Sequence, residues 1–203
     1  MIDKNYLCIW AKNININQII DWLKIILIEK VNYKIIIFFD ENKLNTELKE
    51  IINNYNLILI DSININNYFD SWLYLAKMDL DNNAMLLCIN SNYIFNFNEF
   101  FQLYKNNFVF DKLENYEILS IVRPIKSILI QAKLANLIEY NLLSNHNSYA
   151  NKNIICGSVY YWRIMLGIIN FFILFQKYNH NYDKEFLATN LFACCYPDLV
   201  KLI

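Results

Sequence analysis

The stretch YKIIIFFDENKLNTELKEIINNYNLILI, Tyr33–Ile60, decides the fold class. It opens with the apolar run Tyr33–Phe39 and closes with Leu57–Ile60, and runs rich in β-branched and aromatic residues predict strands buried on both faces. Between them, apolar residues recur every three or four positions over Thr46–Asn54, which is the spacing of an amphipathic helix. A strand, a helix and a second strand in this order predict a parallel βαβ unit.

The same alternation continues on both sides of this unit. Apolar runs predict further strands at Tyr6–Trp10, Met85–Ile89, Ile118–Val122 and Asn153–Cys156. Helical periodicity predicts helices at Gln18–Glu29, Tyr68–Met78 and Glu99–Tyr104, and Pro124 opens another over Ile125–Tyr140. We therefore expect an α/β protein with one open, mostly parallel twisted sheet flanked by helices, and a helical C-terminal third.

Turns in this chain must be made without the usual residues, because Gly and Pro occur only twice each. We expect Asn and Asp to cap helices and to form turns in their place. No Pro-, Gly- or Ser-rich linker divides the chain, so residues 1–203 are expected to form a single domain. The polar segment Asn141–Asn153 is a candidate mobile loop.

Composition excludes several classes of protein. With 18 Lys+Arg against 19 Asp+Glu the formal charge is -1, which argues against broad nucleic-acid binding. A hydrophobic content of 56 % with only 18 % charged residues excludes intrinsic disorder. The abundance of Ile, Asn, Lys, Tyr and Phe, whose codons are AT-rich, indicates the AT-rich genome of a parasite, an endosymbiont or a large DNA virus.

The cysteines and the apolar segments indicate the cellular compartment of the protein. Five cysteines without paired spacing predict buried, reduced thiols rather than disulfides or a zinc site. The segment Val159–Phe175 is apolar but contains Arg163 and Asn170, so a core helix is favoured over a membrane span. The N-terminus lacks the pattern of a signal peptide, and a cytoplasmic protein without membrane contact is expected.

Polar residues follow three of the predicted strands directly. They are Asp40-Glu41, Asp61-Ser62 and Asn90-Ser91-Asn92. Ligands of open α/β sheets bind at the carboxyl ends of the strands, so each group is a candidate for contact with a nucleotide or a sugar. The alternative for each of Asp40, Asp61 and Asn90 is a helix cap without further function.

Familiar catalytic motifs are missing from the sequence. Neither glycine, Gly157 or Gly167, belongs to a Gly-rich phosphate loop, which excludes P-loop NTPases and ordinary dinucleotide dehydrogenases. There is no GxSxG elbow or HExxH helix, and His146 and His180 have no companion histidine nearby in the sequence.

Two further segments carry candidate residues. Gly157-Ser158 is expected to form a turn between a strand and the apolar helix, where Ser158 can cap the helix or bind a ligand hydroxyl. Asp183 and Glu185 flank Lys184 at the start of a predicted helix that runs toward Cys195. Carboxylates at that position are favoured by the helix dipole even without a function.

The order of these landmarks resembles the HtrL/YibB-like glycosyltransferases of bacteria and viruses, which have a GT-A-type fold. The resemblance rests on the strand end Leu86–Asn92, the Gly-Ser segment with the aromatic-rich helix Gly157–Phe175, and the acidic helix start with the closing YPDLVKLI, Asp183–Ile203. It covers the last half of the chain with recognisable landmarks and the first half as generic strand–helix order.

This resemblance implies transfer of a sugar from a nucleotide-sugar donor to a glycan or protein acceptor. It assigns Asp183 as the general base, with Glu185 beside it. The donor side would be formed by Asp40, Asp61, Asn90, Asn92, Gly157 and Ser158. Residues 1–140 would then be the nucleotide-binding half and residues 153–203 the acceptor-side part.

The sequence departs from the family pattern at the metal position. The family uses Asp-x-Asp to help to hold Mn²⁺ or Mg²⁺, and this chain has Asn90-Ser91-Asn92; Asn92 is the candidate metal ligand, although amide oxygens substitute poorly for carboxylates. The departure keeps open a non-catalytic interaction protein with a transferase-like sheet. A protein that binds the membrane surface through Val159–Phe175 is a third alternative.

Overall fold

The computed structural model describes residues 5–28, 33–93, 118–122, 150–175, 184, 188 and 200–202. The strands are β1 (Tyr6–Trp10), β2 (Lys34–Phe39), β3 (Ile58–Asp61), β4 (Met85–Asn90), β5 (Ile118–Val122), β6 (Ala150–Ser158) and β7 (Val200–Leu202). The longer helices are α1 (Ile16–Ile28), α2 (Thr46–Asn54), α3 (Tyr68–Lys77) and α4 (Val159–Phe175). Single 3₁₀ turns follow β2 and β4, at Glu41–Lys43 and Ser91–Tyr93.

In this part of the chain the strands form one seven-stranded sheet in the order β3-β2-β1-β4-β6-β5-β7. Strands β1 to β4 are mutually parallel, and β7 is parallel to β5. Only β6 runs antiparallel to its neighbours in the sheet, β4 and β5. The predicted open, mostly parallel sheet with flanking helices is therefore confirmed.

Helices cover both faces of the central strands, which explains the continuous apolar runs in the sequence. Alternate residues of each strand point to opposite faces, so that Cys8 and Trp10 of β1 pack with α3 and α4, while Leu7 and Ile9 pack with α1 and α2. Trp72 of α3 and Trp162 of α4, both fully buried, meet edge to face with ring centroids 5.2 Å apart. The core is thus two apolar layers separated by the sheet.

Asparagine side chains cap helices, as the low content of Gly and Pro predicts. The Oδ1 atom of Asn45 accepts a hydrogen bond from the backbone N–H of Leu48, and that of Asn67 accepts one from Asp70. Asn56, between α2 and β3, has φ 54°, a left-handed conformation that Asn adopts more readily than most residues. The predicted use of Asn in caps and turns is confirmed at these positions.

Helix α4 has the bounds of the apolar segment Val159–Phe175. Its residues Trp162, Met165 and Ile169 are buried against the sheet and α3, which confirms a core helix. In the described residues, no helix has both the length and the apolar character to cross a membrane. Cys8, Cys88 and Cys156 are buried, free thiols, as predicted.

One prediction about the second half of the chain is corrected, and one strand there was not predicted. The proposed loop Asn141–Asn153 ends in a strand, because β6 already begins at Ala150. The closing segment YPDLVKLI contains the short strand β7, Val200–Leu202; a strand of three residues that includes Lys201 is too short for its sequence pattern to predict it. The helices predicted at Glu99–Tyr104 and Ile125–Tyr140, and the rest of the loop, lie outside the described residues.

Candidate functional site

The order of the strands reverses between β1 and β4. From β1 the chain adds β2 and then β3 on one side, and it returns to place β4 on the other side of β1. In open α/β sheets, ligands bind at such a switch point, outside the carboxyl ends of the strands. Trp10 and Asn90 are paired in register at this point, so the loops after β1 and β4 begin next to each other. We call this end of strands β1 to β4 the carboxyl edge.

The triplet Asn90-Ser91-Asn92 at the end of β4 is held in place by two hydrogen bonds. The Oδ1 atom of Asn90 accepts a hydrogen bond from the backbone N–H of Asn92 at 3.3 Å, and the hydroxyl of Ser91 donates to the carbonyl of Trp10. Asn90 is only 7 % exposed and Ser91 is buried, whereas Asn92 is exposed. Asn92 is therefore the member of the triplet with the freest access to a ligand.

Asp40 and Asp61 lie next to each other at the carboxyl edge, at the ends of β2 and β3. Phe39, the residue before Asp40, is paired in register with Asp61. Asp61 Oδ1 accepts hydrogen bonds from the backbone N–H groups of Ile63, at 3.2 Å, and Glu41, at 3.4 Å. The loop after β2 is thereby tied to the end of β3.

Asp40 also makes local bonds that match the capping interpretation. Its Oδ1 atom accepts from the backbone N–H of Asn42 at 3.0 Å, and its Oδ2 atom lies 3.5 Å from Nζ of Lys43. The side chain is 21 % exposed, so a ligand can reach it. Local capping and ligand contact are compatible at both aspartates, because a carboxylate can accept several hydrogen bonds.

Sequence reasoning did not single out Lys12, which lies in the loop between β1 and α1. Its Nζ donates to the carbonyl of Ile65, in the loop after β3, at 2.7 Å. The ammonium group thus crosses from the loop after β1 toward the loop after β3. In the sequence, the only indication of a role for Lys12 is its position two residues beyond an apolar strand. A single Lys at such a position is too common to indicate a site.

Ser62 lies directly after Asp61 at the same edge. The sequence pattern included it with Asp61 but gave it no role of its own. Its side chain has no exposed surface, and its hydroxyl has no hydrogen-bond partner within the described residues. Its backbone N–H donates to the carbonyl of Phe39 at 3.0 Å. The Ser62 hydroxyl is therefore a buried polar group at the carboxyl edge that forms no hydrogen bond with the described residues.

The structure separates Gly157 and Ser158 from this group, which corrects the prediction that they line the same pocket. Because β6 is antiparallel, Gly157 is paired with Leu86 and Ser158 with Met85, at the opposite end of β4 from Asn90. They do not form a turn either, since β6 continues through Ser158 and α4 begins at Val159. The expected capping role of Ser158 is observed, as its Oγ accepts from the N–H of Tyr161 at 3.4 Å.

Arg163 fastens α4 at that opposite end of the sheet, which we call the amino edge. Its Nε donates to the carbonyl of Ala76 at 3.1 Å and its Nη2 to that of Met78 at 2.8 Å, while Nη1 donates to Asn82 Oδ1. These carbonyls belong to the C-terminal end of α3, where a cation is favoured. Arg163 is therefore a structural residue away from the candidate site.

The predicted acidic residues Asp183 and Glu185 lie outside the described residues. Lys184 between them is helical and exposed. Their assignment as catalytic residues stays a prediction.

The end of β4 does not offer a donor set suited to a divalent metal ion. Mg²⁺ and Mn²⁺ prefer carboxylate oxygens, but the side chains after β4 are two amides and a hydroxyl, and the Oδ1 atom of Asn90 is already engaged. Within the part of the chain that the structure describes, no group of three or more His, Cys, Asp or Glu residues is arranged to hold a metal. The residues described at the position of Asp-x-Asp therefore do not fit a metal.

Comparison with solved structures identifies the fold. The chain is similar to 4-diphosphocytidyl-2C-methyl-D-erythritol synthase from Anaerococcus prevotii, with a TM-score of 0.55 and 11 % identity, over 99 % of this chain and 89 % of that one. It is also similar to the glycosyltransferase GlyE from Streptococcus pneumoniae in its apo form, with a TM-score of 0.47 and 12 % identity, over 98 % of this chain and 45 % of that one.

No protein-family profile and no curated protein sequence matches the chain. At 11 % identity the similarity to the synthase establishes the fold alone, and no comparison singles out the HtrL/YibB group. The architecture of the chain is that of the nucleotide-diphospho-sugar transferase, or GT-A-like, fold.

Proposed function

We propose that this protein is a glycosyltransferase that moves a sugar from a nucleotide-sugar donor to an acceptor hydroxyl on a glycan or a protein. The observation that carries the proposal is a row of polar residues along the carboxyl ends of β2, β3 and β4, next to the β1/β4 switch point of a GT-A-like sheet. Asp40, Asp61 and Asn92 lie at the ends of three strands on one edge. This edge is where sheets of this kind bind nucleotides.

The spacing of the strands suits an elongated ligand. Neighbouring strands lie about 4.8 Å apart, so β2 and β4, with β1 between them, place their ends roughly 10 Å apart. A nucleotide laid across this edge can place its ribose near Asp40 and Asp61 and its diphosphate near Asn90 and Asn92. Carboxylates accept hydrogen bonds from neighbouring ribose hydroxyls, and amides donate to phosphate oxygens.

In the proposed reaction, the acceptor oxygen attacks the anomeric carbon of the donor sugar. The bond between that carbon and the diphosphate oxygen breaks, and the diphosphate leaves with the electron pair. Asp183, with Glu185 nearby in sequence, is proposed as the general base that takes the acceptor proton. Hydrogen-bond donors at the carboxyl edge would stabilise the charge on the departing diphosphate.

Isothermal titration calorimetry against a panel of UDP-, GDP- and CDP-sugars tests the proposal. Asp61→Asn is the sharp variant, because it removes the charge but keeps an oxygen that can accept from Ile63 and Glu41. We expect it to weaken donor binding by about tenfold or more, because a hydrogen bond from a ribose hydroxyl to a charged acceptor is stronger than one to an amide. Asp81→Asn is the matched control, since Asp81 also accepts from the N–H two residues on, at Asn83, in the turn before β4. Absence of binding by every donor would contradict the proposal.

A second candidate is a non-catalytic interaction protein that retains the sheet. The neutral triplet Asn90-Ser91-Asn92 favours it, because a transferase of this fold would more often carry carboxylates there. Release of free UDP, GDP or CDP from the donors, followed by mass spectrometry, separates the two functions. A transferase releases nucleotide slowly even with water as acceptor, whereas the interaction protein releases none.

A further inference from the structure

The end of β4 presents hydrogen-bond donors where a metal-dependent transferase would present carboxylates. The oxygen of the Asn90 amide is the atom that would ligate a cation, and it is engaged by the backbone N–H of Asn92 at 3.3 Å. An amide that accepts through its oxygen still carries two N–H donors. The group therefore suits an anion better than a cation.

Asn92 offers the same chemistry with better access. Its side chain is exposed, whereas Asn90 is nearly buried. Its backbone is fixed by the bond to Asn90, and the preceding Ser91 is tied to the Trp10 carbonyl. Asn92 is consequently presented on a fixed segment beside the switch point, with its amide exposed at the surface.

Positive charge is available from the chain itself across β1. The ammonium of Lys12 rests on the neutral carbonyl of Ile65, so that bond does not cancel its charge. Helix α1 begins at Ile16, shortly after Lys12, and directs its N-terminal end to the same edge, where the helix dipole favours an anion. A diphosphate at the end of β4 thus has amide donors beside it, and the ammonium of Lys12 and the N-terminus of α1 lie at the same edge of the sheet.

We propose that Asn90 and Asn92 bind the diphosphate of the donor directly through their amide N–H groups, with no divalent cation between them. This inference rests on the proposed function and specifies how its donor is held. It implies that donor binding is independent of Mn²⁺ and Mg²⁺ and is weakened when a carboxylate replaces the amide.

The test uses the full chain and a panel of UDP, CDP, GDP and ADP, titrated calorimetrically in excess EDTA and again with Mn²⁺. Asn92→Asp is the main variant; its position is exposed, so the fold is retained, which circular dichroism checks. Asn83→Asp is the matched control, because Asn83 is also exposed but lies in the turn before β4, at the amino edge.

The wild type is expected to bind one of the nucleotides with dissociation constants that agree within about threefold in EDTA and in Mn²⁺. In EDTA, Asn92→Asp should weaken binding by about tenfold or more, because a carboxylate repels the phosphates, and Asn83→Asp should not change it.

Three results overturn the inference. Binding that requires Mn²⁺ refutes it and leaves the proposed function standing. Binding in EDTA that Asn92→Asp does not weaken refutes the role of the amides, again without touching the function. Absence of binding by every nucleotide under both conditions removes the inference and the proposed function together.

Discussion

The hydroxyl of Ser91, the residue after β4, donates a hydrogen bond to the backbone carbonyl of Trp10, the last residue of β1. Both groups are buried, and they lie on the two strands that border the switch point. This bond joins the segment that carries Asn90 and Asn92 to the neighbouring strand. The position of this segment therefore depends in part on the Ser91 side chain, which does not need to contact a ligand itself.

Replacing Ser91 by Ala should destabilise the protein and weaken nucleotide binding. The change leaves the buried Trp10 carbonyl without this donor, a loss of about 1–2 kcal/mol in the free energy of unfolding. Ser62→Ala is the matched control, because Ser62 is equally buried at the same edge but its hydroxyl has no partner among the described residues. Urea unfolding should show a lower midpoint for Ser91→Ala alone; equal losses in both variants would contradict the account.

Replacing Arg163 by Lys should destabilise the fold without changing nucleotide affinity. A single ammonium cannot reproduce the fork that serves the carbonyls of Ala76 and Met78 and the amide of Asn82, and we expect a loss of about 2 kcal/mol. Lys24→Met, which breaks an exposed pair with Glu47, should leave the unfolding midpoint nearly unchanged. A large loss of nucleotide affinity in Arg163→Lys would show that the amino edge belongs to the site.

Removing either asparagine cap should cost about 1 kcal/mol of unfolding free energy. In Asn45→Ala the N–H of Leu48 loses its acceptor, and in Asn67→Ala the N–H of Asp70 does. Asn53→Ala, at an exposed position inside α2, should be neutral or slightly stabilising, because Ala is the better helix former. Chemical unfolding of the three variants measures this, and a cap variant as stable as Asn53→Ala would refute the role of Asn in capping.

The buried thiols predict a loss of stability at alkaline pH. Burial is the main cause that raises the pKa of the Cys88 and Cys156 thiols, and a hydrogen bond with Cys8 adds to it at Cys88. Because the folded-state pKa lies above the ordinary value of 9.0, the contribution is complete below that pH. Above it the unfolded chain loses protons that the folded chain keeps, so each thiol costs about 1.4 kcal/mol per pH unit.

The variant Cys156→Ala isolates one of these thiols. Its free energy of unfolding should fall less steeply than that of the wild type between pH 9 and pH 10.5, by about 1.4 kcal/mol per pH unit at most. Urea titrations at several pH values give both slopes. Parallel pH profiles for wild type and variant would show that the ionisation of Cys156 is not coupled to unfolding.

The sheet was largely predictable because its strands carry strong local patterns. Runs such as Tyr6–Trp10 and Ile118–Val122 are strands with the predicted bounds, and Thr46–Asn54 is a helix with the predicted bounds. The antiparallel direction of β6 was not predictable, since a run such as NIIC suits either direction when both faces are buried. Strand direction depends on the chain path, which residues far from β6 in sequence determine.

The candidate site was predictable only where it follows strand ends. Asp40, Asp61, Asn90 and Asn92 are at the carboxyl edge, because parallel strands place their carboxyl ends together. Gly157 and Ser158 were assigned to the wrong edge because the direction of β6 was not predicted. The carboxyl end of an antiparallel strand lies at the opposite edge from the carboxyl ends of its parallel neighbours. Lys12 was missed because its relation to Ile65 depends on a contact across 53 residues of sequence.

Hydrogen exchange followed by mass spectrometry, with and without the nucleotide sugar that binds best in calorimetry, tests the central claim most directly. The account predicts slower exchange in the peptides that cover residues 11–15, 40–44, 61–65 and 90–93, at the carboxyl edge, and no change around residues 79–84 at the amino edge. Protection confined to the amino edge or to the surface of α4 would contradict a donor site at the β1/β4 switch point.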